Sequence, residues 1–598
     1  MRNLHWSSMI ASLLLVACTS TTPPTQAQYQ AGNQDARLNT LVDKYFEEVL
    51  KRDPLVATYI GDARYNDRLA NDIAPEFVAA SVAMHRRYLQ AARNIDATNL
   101  SAAAQLTRAI FERECAEAVE AGQFPSYLLP LDQMGGLPST LAEFGSGDNA
   151  QPFVTVRDYE NFLKRTSDFS VWTDQAIANM RAGVKRGIVQ PRVVMQKVLP
   201  QLSAMLIDDP TQSLFYQPIV NLPIGFSASD KRRLSAAYRS AIAERIVPAY
   251  RRLHDYIRDE YLPHTRDTVA WTALPQGAAW YQFLSRHYTT TNLDAAEIHR
   301  IGLAEVARIR GEMSKVQAKL GIAGDLPQFF AHLGADRTQY FTSGEDLLAA
   351  HRALKAKIDA KLPALFVDFP KADYEIREVE AFRAQSSAGA FYQPPSADGS
   401  RPGIFYVNTY NLQAQPKFGM TTLSLHEAAP GHHFQISIQQ EIADLSRFRR
   451  FLVGYTAYVE GWALYTESLG NEMRLFDDPN QYFGHLNDEM LRAMRLVVDT
   501  GLHTMNWTRE QSITYMLANS YMAPTDAEAE VERYIANPGQ ALGYKIGQMK
   551  IRELRTQAEQ ALGRKFDVKQ FHSQILRDGP LPMDVLAAKI SRWIDAQK

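Results

Sequence analysis

The chain is poor in cysteine, nearly neutral and without a long apolar run in its body, and each of these absences excludes a class of protein. Two cysteines in 598 residues cannot form a disulfide framework. A formal net charge of −2, with no basic stripe and no glycine-rich phosphate loop, predicts no nucleic-acid partner. Beyond the N-terminus, no apolar stretch approaches the roughly 18 residues that a membrane-spanning helix needs. What remains is a large globular chain, 46% hydrophobic, with ample material for a core.

The N-terminus has the pattern of a signal sequence. Arg2 precedes an apolar stretch from Met9 to Ala17, which is too short to span a bilayer and fits the apolar part of a signal peptide. Its Leu-Val-Ala-Cys ending resembles a bacterial lipoprotein signal, in which Cys18 is lipidated and becomes the mature N-terminus. Residues 1–18 are therefore predicted to be a lipoprotein signal peptide. A cleaved secretory signal without lipid is the alternative.

The residues after Cys18 predict where the protein is anchored. Acyl chains on this cysteine would hold it on a membrane, because each buried CH₂ contributes about 0.8 kcal/mol. Thr19 stands where an Asp would favour retention in the inner membrane, so we expect the outer membrane of the bacterial cell envelope, facing the periplasm. Residues 19–36, rich in Thr, Pro, Gln and Ala, have the composition of a flexible tether. Cys115 is then left without an intramolecular partner and is predicted to fill core or surface.

Helical periodicity dominates the rest of the chain. The clearest apolar runs with helical spacing cover residues 41–50, 80–95, 231–260, 296–320, 345–360, 484–500 and 548–562. Strand candidates are few, and the clearest is Gly403–Asn408. Pro- and Gly-rich breaks occur at residues 122–152 and 393–403. We predict a mainly α protein, with a mostly helical N-terminal and middle region over residues 37–392 and a metal-bearing catalytic region over residues 393–598.

The run HEAAPGHH, residues 426–433, holds three of the 14 histidines of the chain together with a glutamate. It is a stretched form of the signature in which two histidines on one helical face bind Zn²⁺ and the glutamate beside the first histidine is the general base. In that signature the histidines stand about four positions apart, whereas His432 follows His426 by six positions and His433 by seven. On an unbroken helix His433 would lie about 10 Å along the axis from His426, too far to share one ion.

Two residues inside this run predict a break in the helix. Pro430 lacks an N–H group and pushes Ala429 away from helical angles, and Gly431 tolerates angles that other residues avoid. A kink there would return one of the two later histidines to the ion. The sequence leaves that choice open and slightly favours His432; the other histidine would support a ligand or contact the substrate.

A third ligand is expected on the apolar helix predicted over residues 452–469. Glu460 and Glu467 interrupt its apolar sequence and stand seven positions apart, on one face. A buried carboxylate is costly unless it is paired, hydrogen-bonded or bound to a metal. Glu460 is the predicted ligand, and Glu467 is predicted to orient a ligand histidine through its other ring nitrogen. Salt bridges with arginines such as Arg492 and Arg495 are the alternative role for both.

Three segments together resemble one bacterial family: HEAAPGHHFQ, YVEGWALYTE and RYIANPGQALGYKIGQ. They are typical of the family called domain of unknown function 885, and the resemblance runs from about residue 37 to the C-terminus. That family is grouped with the gluzincin-type zinc metallopeptidases, whose third ligand is a Glu on a downstream helix. Carried over by position, the resemblance assigns the metal-site motifs to His426, Glu427, the His432/His433 pair and Glu460.

The resemblance also implies an architecture. It predicts a large helical gluzincin-like metallopeptidase, with a small β element beside the metal helix and a cleft between two lobes. In such a fold the strand just before the metal helix, here Gly403–Asn408, forms one wall of the cleft and can pair with an extended substrate. An ordinary edge strand is the alternative for these residues.

The expected chemistry assigns roles to further residues. Two histidines and Glu460 would leave one zinc position for water, and Glu427 would take the proton of that water and pass it to the leaving amine. An oxyanion donor besides the metal is needed, and the candidates downstream are Tyr534, Tyr544 and His503. The candidates for binding a substrate carboxylate are Arg492, Arg495, Arg533 and Lys545. Neutralisation of nearby acids is the alternative role for these four residues.

Three functions of different classes compete. The first is a zinc-dependent peptidase that cleaves short peptides at the cell envelope. The second is a metal-dependent hydrolase of another small amide or ester, with the same chemistry. The third is a non-catalytic binding lipoprotein, against which Glu427 argues, because a structural metal site needs no general base. The oligomeric state is not predicted.

Overall fold

In a computed structural model of the chain, the described residues are 26–147, 149–379, 384, 389–397, 399 and 401–598. Cys18 and the signal predicted over residues 1–18 lie outside them, as does the first part of the predicted tether. Residues 26–36 of that tether belong to helix α1, Gln26–Arg52. Gln and Ala, which are abundant there, both have good helix propensity.

The first part of the chain is helical, and the apolar runs found in its sequence fall on helices. These helices are α1, α2 (Pro54–Tyr59), α3 (Pro75–Arg93), α4 (Ala102–Ala121), α5 (Leu137–Gly145), α6 (Val156–Arg186), α7 (Arg192–Ser203), α8 (Gln217–Val220), α9 (Ala228–Ala241), α10 (Val247–Tyr256), α11 (Gly277–Thr289), α12 (Ala295–Lys319), α13 (Leu326–Ala335) and α14 (Gly344–Asp359). Cys115 on α4 is buried in the core. Gly321, just after α12, adopts a φ of +70°, as expected for a residue that follows a helix end.

A small sheet follows α14. Its strands are β1 (Tyr374–Glu378), β2 (Ala390–Gln393) and β3 (Gly403–Val407), in the order β1-β3-β2. β3 pairs in parallel with β1 and antiparallel with β2, and all five of its residues are buried. The mainly α class with a small β element is therefore confirmed.

The position of β3 corrects both expectations for this strand. It is neither an edge strand nor available to pair with a substrate, because β1 and β2 occupy its two hydrogen-bonding edges. The uniformly apolar sequence Gly-Ile-Phe-Tyr-Val is that of a central, fully covered strand.

The C-terminal part is again helical. Its helices are α15 (Lys417–Glu427), α16 (His432–Glu441), α17 (Arg447–Phe451), α18 (Thr456–Glu472), α19 (Pro479–Thr504), α20 (Arg509–Asn519), α21 (Pro524–Ala536), α22 (Leu542–Leu562), α23 (Val568–Leu576) and α24 (Met583–Gln597). None of the helices in the described residues is long and apolar enough to cross a membrane.

Buried apolar side chains form two large cores. The first core joins α1–α4, the sheet, α16–α18 and the last helices, and it includes Phe111, Phe405 and Trp462. The second core joins α5–α10, α12 and α13 with α19–α21, and it includes Phe162 and Val497. The boundary predicted between residues 392 and 393 falls inside β2, and the first core contains side chains from both sides of it.

Helix α15 is anchored in both cores. Phe418 at its start packs in the second core, and Leu425 near its end packs in the first. Leu425 is fully buried, and burial of such a side chain is worth about 1.5–3 kcal/mol. The end of α15, where the histidine motif begins, is therefore held in place from two sides.

Helices α18 and α22 cross at unusually short range. A Cβ atom on Gly547 would lie 1.8 Å from the carbonyl oxygen of Ala457, and one on Gly461 would lie 2.6 Å from the backbone of Gly547. Only glycine fits at both positions, since real Cβ atoms do not come so close to backbone. The crossing brings Tyr544 of α22 to the same pocket as Glu460 of α18.

A buried carboxylate ties three other segments together. Asp499 of α19 accepts hydrogen bonds from the Tyr281 hydroxyl at 2.6 Å and from the Gly539 N–H at 2.9 Å. Burial raises the pKa of Asp499 from 3.8 to about 7, although these two donors favour the ionised form.

This shift predicts a pH-dependent stability. Between pH 4 and 7 the folded chain holds a proton on Asp499 that the unfolded chain releases. This proton stabilises the folded state at low pH, and the stabilisation is lost as the pH rises through 7. The free energy of unfolding of the wild type, minus that of Asp499→Asn, should therefore fall by about 2–3 kcal/mol between pH 5 and 8. Denaturant unfolding at several pH values measures it, and a pH-independent difference would contradict the prediction.

Candidate metal centre

The predicted break in the histidine motif is present. Helix α15 ends at Glu427, Ala428 leaves helical geometry with φ −104° and ψ −115°, and α16 begins at His432. The Ala429–Pro430 peptide bond is cis. At Gly431 the chain passes so close to α15 that a Cβ atom there would lie 1.8 Å from the carbonyl oxygen of His426.

This return brings His432 beside His426, with ring centroids 4.8 Å apart. Both rings face Glu460 of α18: its Oε2 atom lies 3.5 Å from His426 Nε2 and 3.3 Å from His432 Nε2. The three candidate ligand atoms lie within 4.8 Å of one another. The structure thus brings together two of the three motif histidines and the glutamate predicted as third ligand.

The three side chains fit a zinc ion. Two ligand atoms at the usual bond lengths of about 2.0–2.1 Å, spaced tetrahedrally, lie about 3.4 Å apart, which matches the two distances to Glu460. Two histidines and one glutamate are also a donor set of catalytic zinc sites. Glu460 Oε2 is buried and has no hydrogen-bond partner among the described residues, so a buried carboxylate oxygen there is left to a cation.

The surroundings favour positive charge at this point. Burial opposes a charge on His426, yet Glu460 and Glu467 outweigh it and raise the pKa of its imidazole to about 10. Burial likewise opposes the ionised form of Glu460, but the facing His432 and His426 hold the pKa of this carboxyl well below 4.5. A proton or a metal ion can supply the charge that these carboxylates favour.

Glu467 holds the first histidine in place. It is fully buried on the same face of α18 as Glu460, about two turns further along the helix. Its Oε1 atom accepts a hydrogen bond from His426 Nδ1 at 2.7 Å. This contact leaves His426 Nε2 as the nitrogen that points to Glu460. His485 and Arg492 lie 3.8 Å from the same carboxylate.

His433 lies outside the cluster. Its Nδ1 atom is 2.8 Å from the Tyr392 hydroxyl on β2, and its Nε2 atom is 3.1 Å from the carbonyl oxygen of Ala372. Both ring nitrogens are thus engaged between α16 and the sheet, and burial lowers the pKa of His433 to about 4. Its contacts attach the kinked helix to the β element.

A pocket of about 580 Å³ opens onto the cluster. It is lined by residues of β2, α15, α16, α18, α19, α21 and α22, including the three candidate ligands. Glu427, next to His426, is half-buried in this wall, and its carboxylate has no hydrogen-bond or ion-pair partner among the described residues. Its carboxylate is thus available to a molecule in the pocket.

Of the three candidate oxyanion donors, Tyr544 lies in the pocket wall. The other two are engaged elsewhere. Tyr534 donates its hydroxyl to Glu530, and His503 Nδ1 accepts from the Trp271 N–H at 3.2 Å while its Nε2 donates to the carbonyl oxygen of Tyr534 at 2.9 Å. Burial lowers the pKa of His503 to about 3, so it is neutral.

The basic candidates are also separated by the structure. Arg492, Arg495 and Arg533 line the pocket, whereas Lys545 is buried in ion pairs with Glu305 at 2.9 Å and Glu489 at 2.7 Å. Lys545 therefore serves the packing of α12, α19 and α22.

Sequence reasoning missed several residues of the pocket. Asp488 pairs with Arg492 at 3.2 Å, and Glu530 pairs with Arg495 at 3.0 Å. The spacing of four positions between Asp488 and Arg492 on a helix is a signal that could have found the first pair. Tyr392 had no such signal, because β2 is only four residues long.

A comparison with known families shows which family the chain belongs to. A family profile described as "Bacterial protein of unknown function (DUF885)" matches residues 54–590. The chain belongs to this family. No curated protein matches it.

Two solved structures are similar to this DUF885 protein. One, described as a "putative lipoprotein" from Colwellia psychrerythraea, has a TM-score of 0.88 and 28% identity over 94% of this chain and 99% of that one. The other, described as a "putative lipoprotein of unknown function" from Shewanella oneidensis, has a TM-score of 0.70 and 17% identity over 92% of this chain and 99% of that one. The second likeness concerns the fold alone.

The contact between Glu467 and His426 predicts an effect on metal affinity. Glu467→Gln keeps the shape but removes the charge, and loss of such a supporting carboxylate costs about 10–100-fold in affinity. We expect the zinc dissociation constant to rise by that factor, measured by competition with a chromophoric chelator. Glu472→Gln, on the same helix but paired with Arg555 at the surface, is the matched control and should leave it unchanged. Equal affinities in both variants would contradict the role of Glu467.

Proposed function

We propose that this DUF885 protein is a zinc-dependent hydrolase of the gluzincin type, a peptidase that cleaves short peptides. The observation that carries the proposal is the convergence of His426, His432 and Glu460 on one point in the pocket. Beside them lies Glu427, whose carboxylate has no hydrogen-bond or ion-pair partner among the described residues. A structural zinc site is closed by four protein ligands, whereas three ligands and an adjacent acid are the arrangement of a catalytic site. The cleft between two lobes expected for this type of fold is part of the proposal.

Each residue of the candidate site would have a separate role in catalysis. A zinc ion held by His426, His432 and Glu460 would supply Lewis acidity and lower the pKa of a water molecule. Glu427 would accept the proton of the attacking water and donate it to the departing nitrogen, as a general base and then a general acid. Its position next to His426 on the last turn of α15 keeps the carboxylate at the cluster.

Tyr544 would stabilise the oxyanion. Its oxygen accepts a hydrogen bond from Arg533 at 3.2 Å, while its own O–H has no acceptor among the described residues. The ring is buried, and the guanidinium carbon of Arg495 lies 4.4 Å from the ring centre. A fixed phenol with a cation bonded to its oxygen is a strong donor to developing negative charge.

Anchoring at the bacterial cell envelope belongs to the same proposal. The lipoprotein-like ending at Cys18 and the description of the Colwellia protein as a "putative lipoprotein" support it. The outer membrane, with the protein facing the periplasm, is the location that Thr19 favours.

Two alternative functions can be distinguished from the proposed peptidase by experiment. A hydrolase of another small amide or ester would use the same residues, so a panel of peptides, amides and esters separates it from a peptidase. A non-catalytic binding lipoprotein would bind ligand without turnover. The carboxylate of Glu427, which is unpaired within the part of the chain that the structure describes, argues against this last function, because binding alone would not require it.

Glu427→Gln tests the mechanism directly. The variant should retain about one zinc ion per chain, because no candidate ligand is changed, and should lose about 10²–10⁴-fold in kcat, because the base is lost. Metal content is measured by mass spectrometry and turnover with a quenched-fluorescence peptide library. Glu460→Ala is the comparison and should lose metal and activity together. Wild-type turnover in Glu427→Gln would refute the mechanism.

Cys18→Ser tests the anchor. The substitution removes the acylated residue, so the protein should move from the membrane to the soluble fraction of the cell. Fractionation with immunodetection measures this, and Cys115→Ser is the control that should stay with the membrane. A protein that remains membrane-bound after Cys18→Ser would contradict lipidation at this residue.

A further inference from the structure

One wall of the pocket carries three arginines around Tyr544. The guanidinium carbon of Arg495 lies 4.4 Å from the centre of its ring, and that of Arg533 lies 5.9 Å from it. Arg492 lines the same wall and is 3.8 Å from Glu467, the acid bonded to His426. The arginines therefore lie next to both the proposed oxyanion donor and the candidate metal centre.

Arg495 is committed to a protein partner. Its Nη2 atom lies 3.1 and 3.0 Å from the two oxygens of Glu530, and its Nε atom is 3.3 Å from the second of them. The side chain is 5% exposed. Its Nη1 atom has no hydrogen-bond partner among the described residues, but a guanidinium that is buried and already holds a carboxylate with its other two nitrogens is mainly a structural cation.

Arg492 and Arg533 keep bonding capacity towards the pocket. Arg492 bonds Asp488 through Nη1 at 3.2 Å, and its Nη2 atom is 3.8 Å from Glu467, beyond hydrogen-bond reach. Arg533 is 3.5 Å from Glu530 at its best, and its two shorter bonds go to neutral oxygens, at 2.8 and 3.2 Å.

The guanidinium groups of this wall outnumber its sheltered acids. Three guanidinium groups face Asp488 and Glu530, and a third acid, Asp526, is exposed. The other acids of the pocket, Glu427 and Glu460, belong to the candidate metal centre. A surplus cation inside a partly enclosed pocket attracts an anionic group more strongly than one in open water. Guanidinium groups with spare N–H donors match the planar, two-oxygen geometry of a carboxylate.

We propose that Arg492 and Arg533 bind the free α-carboxylate of a substrate, so that the enzyme acts as a carboxypeptidase on short peptides. The proposal rests on the proposed function, since the bond that breaks is the peptide bond held between Glu427, Tyr544 and the metal ligands. Water adds to the carbonyl carbon, the C–N bond breaks, and the C-terminal amino acid leaves with the proton that Glu427 carries. A pocket of about 580 Å³ suits a peptide of a few residues.

The first test compares two substrates on the zinc-loaded wild type: an N-acetylated tripeptide with a free C-terminal carboxylate, and its C-terminal amide. We expect kcat/KM for the amide to be about 10–100-fold lower, because the charge-assisted hydrogen bonds are lost. Arg492→Met and Arg533→Met should both lower kcat/KM for the free acid and remove the preference. For Arg492→Met most of the change should be in KM, whereas Arg533→Met should also lower kcat for both substrates, because it removes the hydrogen bond to Tyr544. Arg300→Met, at a side chain 72% exposed on α12, is the control and should behave as wild type.

The second test measures binding without turnover. Isothermal titration of the same two peptides into zinc-loaded Glu427→Gln should give at least about tenfold tighter binding of the free acid. That preference should disappear when Arg533→Met is added. Equal affinities for acid and amide would overturn the carboxylate site.

The two tests separate the failure of this inference from that of the proposed function. Amide and acid cleaved at equal rates would overturn the carboxylate site and leave the peptidase standing. Acid bound tenfold tighter but never cleaved by the zinc-loaded wild type would overturn the peptidase and leave the carboxylate site standing.

Discussion

The site depends on one constraint, the close return of the chain at residues 428–431. The carbonyl oxygen of His426 and the backbone of Gly431 lie so close that no side chain fits between them. This contact ends one helix at Glu427 and starts the next at His432, so that two histidines six positions apart can face the same carboxylate. The motif therefore differs from the two-histidine zinc signature in that a backbone turn replaces a turn of helix.

The rest of the fold holds this return in place. Trp462 donates its indole N–H to the carbonyl oxygen of Pro430 at 2.8 Å, and Thr466 donates to that of Leu425 at 3.1 Å. Both come from α18, the helix that also supplies Glu460 and Glu467. One helix thus satisfies the backbone of the break and provides the acids of the site, which links the stability of the kink to the placement of the candidate ligands.

Much of this could be predicted from sequence, and the reasons are local. The helices follow from periodicity, the break from Pro430 and Gly431, and Glu460 and Glu467 from two acids within an apolar helix. The family follows from three motifs and is confirmed by the profile over residues 54–590.

What could not be predicted depends on contacts between distant segments. His432 and His433 are equivalent in sequence, and the contacts of His433 with Tyr392 and Ala372 separate them. The central place of β3 depends on pairing with β1 and β2, each of them short. Tyr544 is distinguished from Tyr534 by the close crossing of α18 and α22, which a sequence pattern does not reveal.

The most direct test of the central claim is anomalous scattering at the zinc absorption edge from crystals of the protein grown with zinc. The account predicts one strong anomalous peak per chain, at about 2.0–2.2 Å from His426 Nε2, His432 Nε2 and a Glu460 carboxylate oxygen. A peak coordinated by His433 in place of His432, or fully zinc-loaded crystals with no peak between these three side chains, would contradict it.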